Sequence, residues 1–142
     1  MFHNKKGFTL IEMLVVIAII AVLVSIIIPT VTAATTKAEA AADAANLRST
    51  LGLLNSELAL NSTPEEYVPT LTPAESKYTP GAKIHILYTT PGFIKVYYVK
   101  DNQYYGLAYL ADVAENGSST LPLIKPTDAG DWYIAGKGKV TP

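Results

Sequence analysis

A chain of 142 residues, 49% of them hydrophobic and none of them cysteine, has room for one long helix and one small globular domain. The absence of cysteine excludes a disulfide framework, a thiolate nucleophile and a cysteine-held metal. The formal net charge of -1 argues against a strongly cationic nucleic-acid surface, though not against local contact with DNA.

The chain opens on a cationic stub, Lys5-Lys6, then Gly7, then Phe8-Thr9-Leu10-Ile11-Glu12 at the head of a long apolar run. From Met13 through Thr36 there is no charged residue, and Leu10 to Ile28 is apolar apart from Glu12 and Ser25. A helix over that stretch rises about 28 Å, enough to span a bilayer core. Glu12 is then anomalous, because a carboxylate near the start of a membrane segment costs about a few kcal/mol unless something compensates it. Were the chain cut after Gly7, Lys5 and Lys6 would leave and a positive α-amino group would appear on Phe8. Phe8 and Glu12 are four residues apart, so the two charges can pair within one helix or between subunits staggered by about one turn. Only the second arrangement makes a polymer.

Lys-Lys-Gly, then Phe-Thr-Leu-Ile-Glu, then an apolar helix containing Pro29, resembles the class III signal of type IV pilins and the related pseudopilins. The resemblance covers the first 55 to 60 residues or so. It implies that a prepilin peptidase cuts between Gly7 and Phe8, that Phe8 becomes an N-methylated terminus, and that Glu12 meets a neighbour's amine during assembly. It further implies residues 1–7 as leader, 8–30 as a transmembrane and filament-core helix, and 31–142 as a pilin head that includes the amphipathic half of the helix. Loss of the leader would leave 9 Lys+Arg (11 less Lys5 and Lys6) against 12 Asp+Glu, a net charge near -3. Many Gram-negative pilins close the C-terminal region with a disulfide; its absence here points to a Gram-positive source or a pseudopilin.

After Pro29 the pattern becomes amphipathic. Ala33, Ala40, Ala44, Leu47, Leu51, Leu54 and Leu58 follow steps of three and four over most of the stretch, with Glu39, Asp43, Asn46, Ser49 and Glu57 assigned largely to the other face. The alanines between Ala33 and Ala45 suit close helix neighbours, and the leucines beyond them suit a sheet. Pro29 lacks an amide hydrogen and is expected to kink the helix or loosen Ser25 to Ile28; the resemblance implies that this region can become extended on assembly.

Pro64, Pro69, Pro73 and Pro80 deny a long helix or central strand up to Gly81, so that stretch reads as a surface loop. Beyond it, Lys83 to Tyr88, Phe93 to Lys100 and Gln103 to Leu110 read as three antiparallel strands, with Trp132 to Ala135 as a short fourth. Ile84, Ile86 and Tyr88 share one face, as do Ile94, Val96 and Tyr98, and these cover the leucine stripe. The tail after Ala135 reads as mobile and the segment from Ala111 to Gly130 as irregular. The expected fold is α+β: a long N-terminal helix packed on a small antiparallel sheet.

Other constellations carry less. All nine tyrosines lie between Tyr67 and Tyr133, and Tyr97-Tyr98 with Tyr104-Tyr105 suit strand packing better than an adhesive surface. Asp128 and Asp131, with Asp112 and Glu115 upstream, are oxygen donors of the kind calcium takes, but EF-hand spacing is absent and solvated loop acids are the simpler reading. Asn61-Ser62-Thr63 and Asn116-Gly117-Ser118 match a glycan acceptor triplet that arises often by chance. His3 belongs to the stub and His85 reads as a surface or edge-strand residue, so no catalytic set is available and no cofactor is expected.

The sequence thus reads as the precursor of a structural pilin: a single-pass plasma-membrane protein that becomes an extracellular filament for twitching motility, adhesion, biofilm formation or DNA uptake. The partners expected are other copies of itself, the prepilin peptidase, the assembly platform with its ATPase, membrane lipid before assembly, and a host surface or DNA. A pseudopilin of a secretion or competence system is the near alternative, and a membrane-tethered binding domain the distant one. An ordinary secretory signal cut near Ala33-Ala34 or Ala38-Ala40 does not account for Glu12.

Overall fold

The computed structural model describes residues 7–60, 63–89 and 92–141. The chain divides into two compact units, residues 1–34 and 35–142. Helix α1, Leu10–Ala59, runs without interruption through Pro29 and contributes to both.

In the first unit the helix carries its apolar side chains outward along its whole length. Leu10, Ile17, Val22 and Ile26 are each more than half exposed, and the helix is long and apolar enough to cross a membrane. Pro29 has no amide hydrogen for the carbonyl one turn earlier. Nearby hydroxyls turn back onto the backbone: Ser25 Oγ donates to the Val22 carbonyl, Thr30 Oγ1 to that of Ile27, and Thr32 Oγ1 to those of Ile28 and Pro29.

In the second unit the remainder of α1 packs on a five-stranded antiparallel sheet, as expected of an α+β pilin-like architecture. The strands are β1 Lys83–Thr89, β2 Phe93–Lys100, β3 Gln103–Gly106, β4 Asp131–Ile134 and β5 Gly138–Val140, in the order β3-β2-β1-β4-β5. The turn between β2 and β3 holds Asp101 and Asn102 at φ 49° and 62°, the left-handed pair that a two-residue hairpin needs. Ala40, Ala44, Leu47 and Leu54 of α1 are buried against Ile84, Ile86, Val96, Tyr98 and Tyr133, with Leu51, Tyr88 and Ile94 half-buried beside them. The leucine stripe and the inward face of β1 and β2 are therefore where the alternation puts them; Ala33 is exposed and Leu58 only half-buried.

Several details differ from the sequence reading. The third strand ends at Gly106, and Leu107–Asn116 is a helix, α3, whose Leu107, Leu110 and Val113 recur at helical steps toward the core. It is closed by Gly117 at φ 88°, whose amide donates to the Val113 carbonyl at 2.7 Å, and by Lys37 Nζ, which donates to the Glu115 carbonyl at 2.7 Å. The segment from Ala111 to Gly130 is thus irregular only beyond Asn116. The fourth strand starts one residue early and ends one early, at Ile134, and the tail is strand β5 rather than mobile, pairing Val140 with Trp132. The proline-rich stretch holds a short helix, α2 Pro64–Tyr67, and a 3-10 turn, Val68–Thr70, with Val68 fully buried.

Asp43, assigned to the outer face of α1, is completely buried. Its carboxylate accepts the Ser76 hydroxyl, the Lys77 amide at 2.8 Å and the Tyr78 amide at 3.2 Å, which pins the proline-rich stretch to the helix. His85 lies on the central strand, half-buried, not on an edge. The outer face of the sheet has a small core of its own: Leu87 is fully buried beside the rings of Tyr104 and Trp132, whose centroids are 5.7 Å apart.

Candidate functional site

The first turn of α1 carries the residues of greatest functional interest. Leu10 is the first helical residue; Gly7, Phe8 and Thr9 precede it outside the helix and are exposed. Thr9 is the cap. Its amide and its hydroxyl both donate to Glu12 Oε2 at 2.8 Å, the Glu12 amide donates back to Thr9 Oγ1 at 3.3 Å, and the Met13 amide reaches the Thr9 carbonyl at 3.3 Å. This reciprocal arrangement is a capping box, which satisfies amides that an isolated helix start leaves open. The carboxylate also sits at the positive end of the helix dipole.

Phe8 is 75% exposed, and with Ile11, Glu12, Val15 and Val16 it lines an open groove of about 380 Å3. Phe8 and Glu12, singled out by spacing, thus border one surface. Thr9 was missed, although Thr9-Leu10-Ile11-Glu12 has the Thr-x-x-Glu form of a capping box and announces the helix start. Lys5 and Lys6 lie outside the described residues.

The remaining candidates are dispersed. Asp128 pairs with Lys95 at 2.7 Å and Asp131 with Lys139 at 2.9 Å, so each carboxylate is held by an ammonium. Asp112 accepts from Ser119 Oγ, Asn116 Nδ2 and the Thr120 amide; the Ser119 and Asn116 bonds hold it below the usual carboxylate range. Among the described residues no three His, Asp or Glu side chains gather as a metal would need. Burial and then the charge of Lys83 push the His85 imidazole down. Tyr98 and Tyr105 face the helix, while Tyr97 and Tyr104 belong to the outer-face cluster. The Tyr98 hydroxyl donates to the Ala74 carbonyl at 2.9 Å, so it is not simply wet. Asn116 ends α3, and the other glycan triplet falls partly outside the described residues.

A family model for the prokaryotic N-terminal methylation motif matches residues 2–28, the stretch that holds the stub, the capped helix start and most of the apolar run. The chain therefore carries the class III signal of a prepilin. That motif supports a prepilin of the type IV pilin or pseudopilin type, and the apolar N-terminal helix fits a membrane-anchored precursor. No curated protein and no solved structure matches the chain.

Proposed function

We propose that this chain is the precursor of a type IV pilin, held in the membrane by residues 8–30, cut between Gly7 and Phe8 by prepilin peptidase and polymerised into a surface filament. Residues 1–7 are the leader, with Lys5 and Lys6 retaining it on the cytoplasmic side. Residues 31–142 form the head. Phe8 becomes the methylated N-terminus, and Pro29 marks where the helix loosens as a subunit enters the filament.

The observation that carries this reading is the state of Glu12. Both Thr9 donors converge on Oε2, and among the described residues Oε1 accepts no hydrogen bond. A single carboxylate in that position caps its own helix with one oxygen and offers the other to an ammonium from a second copy. In a low-dielectric setting such a pair selects docking and register more than it adds stability. The exposed apolar side chains of the same helix exchange lipid for neighbouring helices, a nearly even trade, so the work of extraction falls to an assembly ATPase and its platform. The absence of cysteine favours a Gram-positive source.

The test is Glu12→Ala in the producing cell. Mass spectrometry should find the chain beginning at a methylated Phe8 in wild type, and the variant should be cut at the same bond yet give few filaments by shearing and negative-stain imaging. Normal filaments from the variant, or wild-type filaments built from chains that still begin at Met1, would overturn the reading. Short periplasmic or wall-confined assemblies in place of surface filaments would identify a pseudopilin.

A further inference from the structure

Asn116 is the one asparagine in this sequence that is followed by glycine. The pair has a chemistry of its own, because a residue without a Cβ leaves its amide nitrogen unhindered to attack the preceding carboxamide. Once that nitrogen loses its proton to a solvent base, it bonds to Asn116 Cγ; the Cγ–Nδ2 bond breaks, ammonia leaves and a cyclic imide forms. Water then opens the ring at either carbonyl, to aspartate or to isoaspartate. The net change is amide plus water to carboxylate plus ammonium.

The end of α3 keeps the reacting groups apart. Asn116 is exposed, but it is the last residue of the helix, and its Nδ2 donates back over the preceding turn to Asp112 Oδ1 at 2.6 Å. The Gly117 amide is committed to the Val113 carbonyl at 2.7 Å, with Gly117 at φ 88°. Lys37 of α1 lies across the same end: Nζ donates to the Glu115 carbonyl at 2.7 Å, and a Cβ on Gly117 would stand 3.3 Å from Lys37 Cε. Nucleophile and carboxamide therefore meet only after the last turn of α3 opens.

We propose that Asn116 is a deamidation site gated by the capped end of α3, closed in the folded head and opened when that end comes away from Lys37. Opening a helix terminus costs less than unfolding the head, so the cap and the Lys37 bridge set the rate rather than global stability. Aspartate at position 116 would place a second carboxylate one turn from Asp112 and a negative charge at a helix C-terminus, both unfavourable. Isoaspartate adds a carbon to the main chain and takes the Gly117 amide away from Val113. Either product loosens α3 from α1.

The test incubates the full detergent-solubilised chain at mildly alkaline pH, folded or in urea, and follows each asparagine-containing peptide by mass spectrometry. In urea Asn116 should convert before any other asparagine. In the folded chain it should keep its amide over the same time while Trp132 emission stays native. Lys37→Met keeps the stem and loses the donor; it should convert about tenfold faster than folded wild type, the population change that one charged hydrogen bond makes, with native emission. Lys37→Arg, which keeps a donor, should return the rate to that of wild type. Folded wild type converting as fast as the chain in urea overturns the gate, as does Lys37→Met converting no faster than wild type. So does a Lys37→Met chain that has lost native emission, because global unfolding would then set the rate. Another asparagine converting first in urea overturns the assignment of the site.

Discussion

Asp43 and Ser76, 33 residues apart in sequence, are joined by a buried hydrogen bond that fixes the proline-rich stretch against helix α1. Both are nearly inaccessible to solvent, and the Ser76 hydroxyl in turn accepts the Thr79 amide at 2.8 Å. The carboxylate thus organises a short chain of donors that would otherwise be buried unpaired. Asp43→Ala should leave two amides and a hydroxyl without a partner and destabilise the head by about 2–4 kcal/mol. Urea unfolding of the detergent-solubilised chain, followed by near-ultraviolet circular dichroism, measures it. Wild-type stability in the variant would mean that the contact contributes nothing.

Tyr133 and Glu65 give a prediction with a pH signature. The Tyr133 hydroxyl holds the Glu65 carboxyl below its usual range. A carboxylate whose folded pKa is depressed contributes its stabilisation fully above the unfolded pKa, and loses it as pH falls through the folded value. Because Glu65 is exposed, Tyr133→Phe should cost only about 1 kcal/mol at neutral pH. That difference should shrink on acidification below the ordinary carboxylate range. A gap independent of pH would show that the hydroxyl is not acting through the ionised carboxyl.

Trp132 is the single tryptophan and is 5% exposed, beside buried Leu87 on the outer face of the sheet. Its emission should be blue-shifted in the native protein and move red as the head unfolds. Trp132→Ala should cost about 3–5 kcal/mol, because it removes the ring against which Tyr97 and Tyr104 pack. A loss below about 1 kcal/mol in urea unfolding would mean that this second cluster is ornamental.

Gly130 precedes β4 where the backbone runs against β1. A methyl group there would overlap the carbonyl oxygen of Tyr88 and come within 3.1 Å of Leu87 Cδ1. Gly130→Ala should therefore push the start of β4 away from β1 and destabilise the head by about 2 kcal/mol. Hydrogen exchange should rise first at Trp132 and Tyr133; unchanged protection there would contradict the close approach.

The N-terminal methylation motif was legible in the sequence alone. The basic stub, Gly7, the isolated Glu12 and the apolar run are local chemical facts, and no packing partner is needed to interpret them. The inward faces of β1 and β2 were legible too, since strand alternation permits only one apolar side. Leu107–Asn116 was obscured because its first four residues extend an apolar run from β3, although the steps between Leu107, Leu110 and Val113 are helical. Asp43 is the more instructive residue. It lies three residues after Ala40 and four before Leu47, so helical spacing put it on the buried stripe while its charge argued for solvent. Only the folded chain brings Ser76, Lys77 and Tyr78 to it, and a buried carboxylate is tolerated only where such donors converge. His85, Trp132 and β5 follow the same logic: a strand's place in the sheet depends on which distant segments pair with it, and spacing along the chain does not encode that order.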